Sequence, residues 1–141
     1  MHGLQNNFSC INSDIIRASV WISGGGDMAT AGSCGAFSSG LIALCAKFAP
    51  PSEKLSEEQI KEFERVRSNA HEFRDWFIAE FTGVSCHEVQ CGLLGRSFNL
   101  MNEEERKEKG KLHKITGRTC GEVVTKTTLK VAEMLSREDK A

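Results

Sequence analysis

The stretch "SEEQIKEFERVRSNAHEFRDWFIAEF", residues 56–81, decides the fold. It opens with Ser56 and Gln59 in the spacing of a capping box, where side chain and backbone satisfy each other's free groups. Ile60, Phe63, Val66, Phe73, Phe77 and Phe81 then recur near one stripe, while Glu, Lys and Arg fill the opposite side. Such three- and four-residue steps are the period of a helix with one buried face. Gly83 is expected to end it, as glycine after a helix does. A helix this long with a broad aromatic stripe needs other helices to cover it.

The neighbouring segments supply them. Residues 13–22, "SDIIRASVWI", predict a short helix capped by Ser13, broken by "GGGD" at 24–27, where glycines let the backbone pass close to something. Residues 34–48 carry Phe37, Leu41, Leu44, Cys45 and Phe48 on one face and stop at Pro50 and Pro51. A shorter helix is expected from Ser85 to Leu94, then a turn with an apolar anchor in "GRSFNLMN". "EEERKEKGKLHK", 103–114, is a solvated charge run, helix or loop. A last helix is expected from Thr119 to Ser136, with Val124, Thr128, Val131 and Leu135 inward. Strand alternation and repeats are absent from the pattern. The expectation is an all-α single domain over 1–141, a small bundle of about five helices. Residues 1–12 are an ill-defined N-terminal segment, and their abrupt polar start is what a chain shortened at its N-terminus would show.

Composition narrows the function. The 141 residues suffice for one core without disulfides or metal. Charged residues make up 26% with a formal net charge of -1, which gives no reason to expect nucleic acid. The longest apolar run, Leu41 to Pro51, is interrupted by Lys47 and too short to span a bilayer. The first ten residues lack the basic start and apolar core of a secretory signal. A soluble cytoplasmic protein without membrane insertion is expected.

Six cysteines stand out: Cys10, Cys34, Cys45, Cys86, Cys91 and Cys120. No C-x-x-C or zinc-knuckle spacing joins them. In a reducing compartment such residues are buried, reactive or metal-bound rather than bridged. Their flanks point to reactivity. Ser85 with Glu88, and Thr119 with Glu122, both fit the capping box, and each sets a cysteine at the first helical position. Ser33-Cys34 repeats the pattern without the glutamate. At a helix start the free N–H groups and the dipole favour a thiolate. With the helices from Cys34 and Ser56 antiparallel, Cys34, Cys86 and Cys120 are expected at one pole. Cys45 is read as a packed core thiol, Cys91 as a nearby resolving thiol or a buried one. His87 would assist Cys86. His71 and Asp75 form an i, i+4 surface pair, and Trp21 and Trp76 are core or edge aromatics.

At "CGAFSSG", residues 34–40, the sequence resembles the C_GCAxxG_C_C family. The glycine run ahead, "CHEVQ" and "LLGRSFNLM" behind, and "CGEVV" opening the last helix extend the likeness over residues 14–136. That family is regarded as redox-active from four characteristic cysteines, and the resemblance assigns three of them to Cys34, Cys86 and Cys120. The family's first cysteine lies on a helix further upstream, and Cys10 is the nearest substitute. Glycine stands at Gly40 rather than at Ser39, which puts the close helix packing there in question. A related domain occurs in multi-cofactor cytochromes with an iron–sulfur centre, although the haem-attachment motif is absent here.

The function expected is thiol–disulfide exchange or electron transfer through thiolates at Cys34, Cys86 and Cys120. The cofactor is open, and exchange requires none. The alternative is an iron–sulfur or zinc site completed by Cys10, Cys91 or a partner's ligand. A third reading is a non-catalytic helical interaction protein with structural cysteines. A redox partner protein and a homo-oligomer are both compatible with the sequence.

Overall fold

The computed structural model describes residues 1–50 and 56–137. They form an all-α bundle: α1 (His2–Gln5), α2 (Ser13–Ala18), a 3-10 turn (Val20–Ile22), α3 (Gly35–Phe48), α4 (Glu57–Phe81), α5 (Cys86–Leu94), α6 (Glu103–Thr116) and α7 (Cys120–Leu135). The count exceeds five because α1 forms within the N-terminal segment and the charge run becomes α6, which buries none of its residues. The Pro51 half of the expected stop after α3 lies outside the described residues.

The core is a slab of α3, α4 and α7, with α3 packed most extensively on α7. Phe73, Phe77 and Phe81 of α4 are buried, and the Phe37 ring of α3 stacks on Phe73 at 5.6 Å. The close approach of α3 to α4 is made at Gly40. A Cβ there would stand 2.4 Å from the Phe73 ring, so the one-residue displacement from the family motif keeps the close packing. The N-terminal end of the α4 stripe is different: Ile60 and Phe63 stay exposed, with Phe63 beside the small cavity that α3 and α4 share.

On α7 the buried face is Val123, Thr127, Val131, Met134 and Leu135, with Val124 exposed. The expected face is therefore rotated by about one residue at the start of the helix. Lys47 of α3 donates to the backbone oxygens of Leu135 and Arg137 at 2.6 and 3.0 Å, closing the C-terminal end of α7. Arg137 also binds both oxygens of Glu72 on α4 at 2.7 and 2.8 Å.

Two termini depart from expectation. Asn12, not Ser13, caps α2, accepting from the amides of Asp14 and Ile15 at 3.0 Å each. Thr82, in the left-handed region at φ 67°, ends α4 in place of Gly83. Gly83 serves the next helix instead: a Cβ on it would stand 2.5 Å from the Glu88 carboxylate. Trp21 is 74% exposed and so is not a core aromatic.

Candidate functional site

The site begins with an isolated antiparallel bridge between Ser33 and Ser85. It is closed by two reciprocal hydrogen bonds. The Cys34 amide donates to the Val84 carbonyl at 2.7 Å, and the Cys86 amide donates to the Gly32 carbonyl at 2.9 Å. Side chains alternate across extended backbone. Cys34 and Cys86 therefore share the face opposite the two serines. Cys34 stands opposite Val84, so Cys86 is its diagonal neighbour, with Cα atoms roughly 7–8 Å apart. A disulfide spans Cα separations of about 4.4–6.8 Å, so bridging this diagonal requires the backbone to move.

The bridge places the starts of α3 and α5 side by side, and α7 adds Cys120 at its first residue. All three cysteines line one cavity of about 370 Å³. The glycine run closes over it. Gly25 has φ 83°, and a Cβ on it would stand 2.8 Å from the Cys86 Cβ. Its neighbours Asp27, Met28 and Thr30 also take positive φ. Thr30, itself buried, holds this loop down. Its hydroxyl donates to the Phe98 carbonyl at 2.9 Å and accepts from the Leu100 amide at 3.3 Å. Phe98 and Leu100 are the expected apolar anchor, both buried.

Cys86 is 6% exposed and has a dedicated partner. Gln90, fully buried one turn later, accepts the Phe98 amide on Oε1 at 3.1 Å, which turns its Nε2 toward the Cys86 sulfur at 3.2 Å. The backbone bond fixes which end of the amide faces the sulfur, so the sulfur receives a donor. A donor held there stabilises negative charge on it. Gln90 was not singled out from the sequence. Its signal was available: a glutamine four residues after a capped cysteine, between Val89 and Leu93 on a buried face.

The two candidate capping boxes differ. Ser85 forms the complete box: its hydroxyl accepts the Glu88 amide at 3.1 Å, and Glu88 accepts from the Ser85 amide at 3.0 Å. The Glu88 carboxyl is held below its usual range, first by the Ser85 backbone amide and then by the Ser85 hydroxyl. Thr119 makes no side-chain cap, and Glu122 turns instead to Lys126 at 3.5 Å. Ser85→Ala is therefore expected to cost about 1 kcal/mol, and Thr119→Ala less than about 0.5 kcal/mol. Equal losses in urea unfolding would contradict the difference.

Cys34 is itself the residue preceding α3, where a first helical position after Ser33 was expected. Its pKa runs against the expected thiolate. Burial pushes the Cys34 thiol up, and outweighs the amides of Phe37 and Ala36 that favour the anion; negative charge on Cys86 or Cys120 adds to the rise. The folded thiol thus keeps its proton to higher pH than the unfolded one. Stability is whole below the unfolded thiol's range, about pH 8.5, and falls as pH rises through the folded value. Cys34→Ser should flatten that alkaline fall. Equal slopes of unfolding free energy for wild type and variant between pH 8 and 10.5 would exclude it.

The other candidates lie elsewhere. Cys45 is exposed, not a core thiol, and lines a smaller cavity between α3 and α4. Cys10 is half-buried against the core. Cys91 faces His87, sulfur to Nε2 at 3.7 Å, so His87 attends Cys91 and not Cys86. Neither Cys10 nor Cys91 lines the three-cysteine cavity. Asp75 pairs with Arg74 rather than with His71. Among the described residues no group of three or more His, Cys, Asp or Glu side chains is arranged to hold a metal ion. The four-ligand site of Cys34, Cys86 and Cys120 with Cys10 or Cys91 does not fit this arrangement. Among the described residues no helix is long and apolar enough to cross a membrane.

A family model described as "Putative redox-active protein (C_GCAxxG_C_C)" matches residues 1–134. No curated protein and no solved structure matches the chain.

Proposed function

The chain belongs to the C_GCAxxG_C_C family, and on that footing we propose that Cys34 and Cys86 form a dithiol–disulfide couple, with Cys120 a third sulfur in the same cavity. The observation that carries this is the Ser33–Ser85 bridge, which puts two cysteines 52 positions apart in sequence on one face of one short ladder. Cys86, with the Gln90 amide on its sulfur, is the attacking thiol. Its thiolate attacks one sulfur of a disulfide; that S–S bond breaks, and the departing sulfur takes a proton. Cys34 then attacks the Cys86 sulfur of the mixed disulfide and releases the second thiol. The protein gives up two electrons and two protons and is left with a Cys34–Cys86 disulfide.

Peptide mapping of the protein after mild oxidation tests it. A Cys34–Cys86 crosslink in the monomer is expected. Disulfides confined to the exposed Cys45 or to Cys91, with the cavity thiols still reduced, would refute the couple.

A further inference from the structure

The cavity extends well beyond the sulfurs. Along α7 its wall runs from Cys120 through Val123, Thr127 and Val131, and Leu4, Val89 and Leu100 close it from other elements. One atom in this wall is unexplained. Thr127 is 4% exposed, and its hydroxyl oxygen has no hydrogen-bond partner. A helical threonine ordinarily satisfies itself on the carbonyl one turn back; this one does not. Burying a hydroxyl unpaired is unfavourable, and Thr127 is one of the residues that line the cavity. Thr127 lies seven residues past Cys120 on the same helix, about 10 Å along the axis. Lys109 of α6 is the sole charged side chain among the described lining residues.

We propose that this cavity binds a small organic disulfide: an elongated apolar body, a disulfide at the cysteine end, and a carboxylate about 10 Å away that accepts from the Thr127 hydroxyl and pairs with Lys109. This rests on the dithiol reading and names its substrate class. The volume, about 370 Å³, lies at the lower end of small-molecule sites. The apolar wall discriminates against polar disulfides, and the bound substrate undergoes the exchange written above, reduced to two thiols as Cys34 and Cys86 join.

Oxidised lipoate, a cyclic disulfide on an apolar chain ending in a carboxylate, is the probe. Pre-reduced protein is mixed with it in single turnover, with neutral hydroxyethyl disulfide and lipoamide in parallel. Separately, the thermal shift produced by octanoate, which has the chain and carboxylate but no disulfide, is recorded. Wild type is expected to prefer lipoate over hydroxyethyl disulfide by tenfold or more. Thr127→Val should reduce that preference about tenfold and remove most of the octanoate shift, while melting no lower than wild type without ligand. Lys109→Met should abolish the preference for lipoate over lipoamide. Equal rates for all three disulfides without an octanoate shift would overturn the binding site and leave the dithiol couple standing. Failure to reduce any disulfide, with octanoate still bound, would overturn the couple and the substrate assignment with it.

Discussion

Replacing Cys86 by serine is expected to slow the reaction of the reduced protein with hydroxyethyl disulfide by about a hundredfold or more, since a hydroxyl does not replace a thiolate nucleophile. Gln90→Leu should slow it by about tenfold, the scale of one hydrogen bond to a charged group. The two variants separate chemistry from folding. Cys86→Ser keeps a small polar group that can still receive the Gln90 amide. Gln90→Leu also strips the Phe98 amide of its acceptor, so it should destabilise by about 1–3 kcal/mol as well. Thiol release in single turnover measures the rates, and urea unfolding measures the stabilities. A Cys86→Ser protein reacting at the wild-type rate would transfer the nucleophile's role to Cys34 or Cys120. A Gln90→Leu protein that loses stability but no rate would make the glutamine a structural strut only.

The largest loss of stability is expected at Phe73. It is completely buried, stacks on Phe37 at 5.6 Å and on Trp76 at 5.9 Å, and faces Gly40. Phe73→Ala should cost about 3–5 kcal/mol. Gly40→Ala attacks the same contact from the other side: its methyl would begin 2.4 Å from the ring, an overpacking worth about 1–3 kcal/mol. The pair should be coupled. In a Phe73→Leu background the added methyl has less ring to displace, so Gly40→Ala should cost visibly less there. Additive losses in a double-mutant cycle would show that α3 and α4 do not meet at this point.

The helices of the slab were legible because their apolar residues follow the helical period and their ends carry capping residues. What the sequence leaves open is which of two identical local patterns is realised. Ser85 and Thr119 are each followed three residues later by glutamate. Glu88 folds back because Gly83 leaves room for its carboxylate, whereas Glu122 has Lys126 one turn ahead to bind. The same competition decides the thiols. The helix start favours the Cys34 anion, but the walls of the cavity desolvate it, and burial prevails. The grouping of Cys34, Cys86 and Cys120 could be anticipated from connectivity. The partners of Cys86 could not: Gln90 becomes a donor to sulfur only because Phe98, eight residues on, occupies its other end.

The two hydrogen bonds between residues 32–34 and 84–86 also fix an effective concentration. In a flexible chain, two thiols 52 positions apart meet at roughly millimolar effective concentration, with a dependence on chain length that is slow. The bridge replaces that diffuse encounter with a standing one, and for the proposed couple the gain would appear in its reduction potential. Linkage makes the relation reciprocal: by whatever factor the fold favours the Cys34–Cys86 bond, that bond favours the fold. For a closed loop of this length the chain-entropy contribution is about 4 kcal/mol. The redox state of two sulfurs would then be readable as the protein's resistance to unfolding, and any ligand that tightens the ladder would make the protein a weaker oxidant.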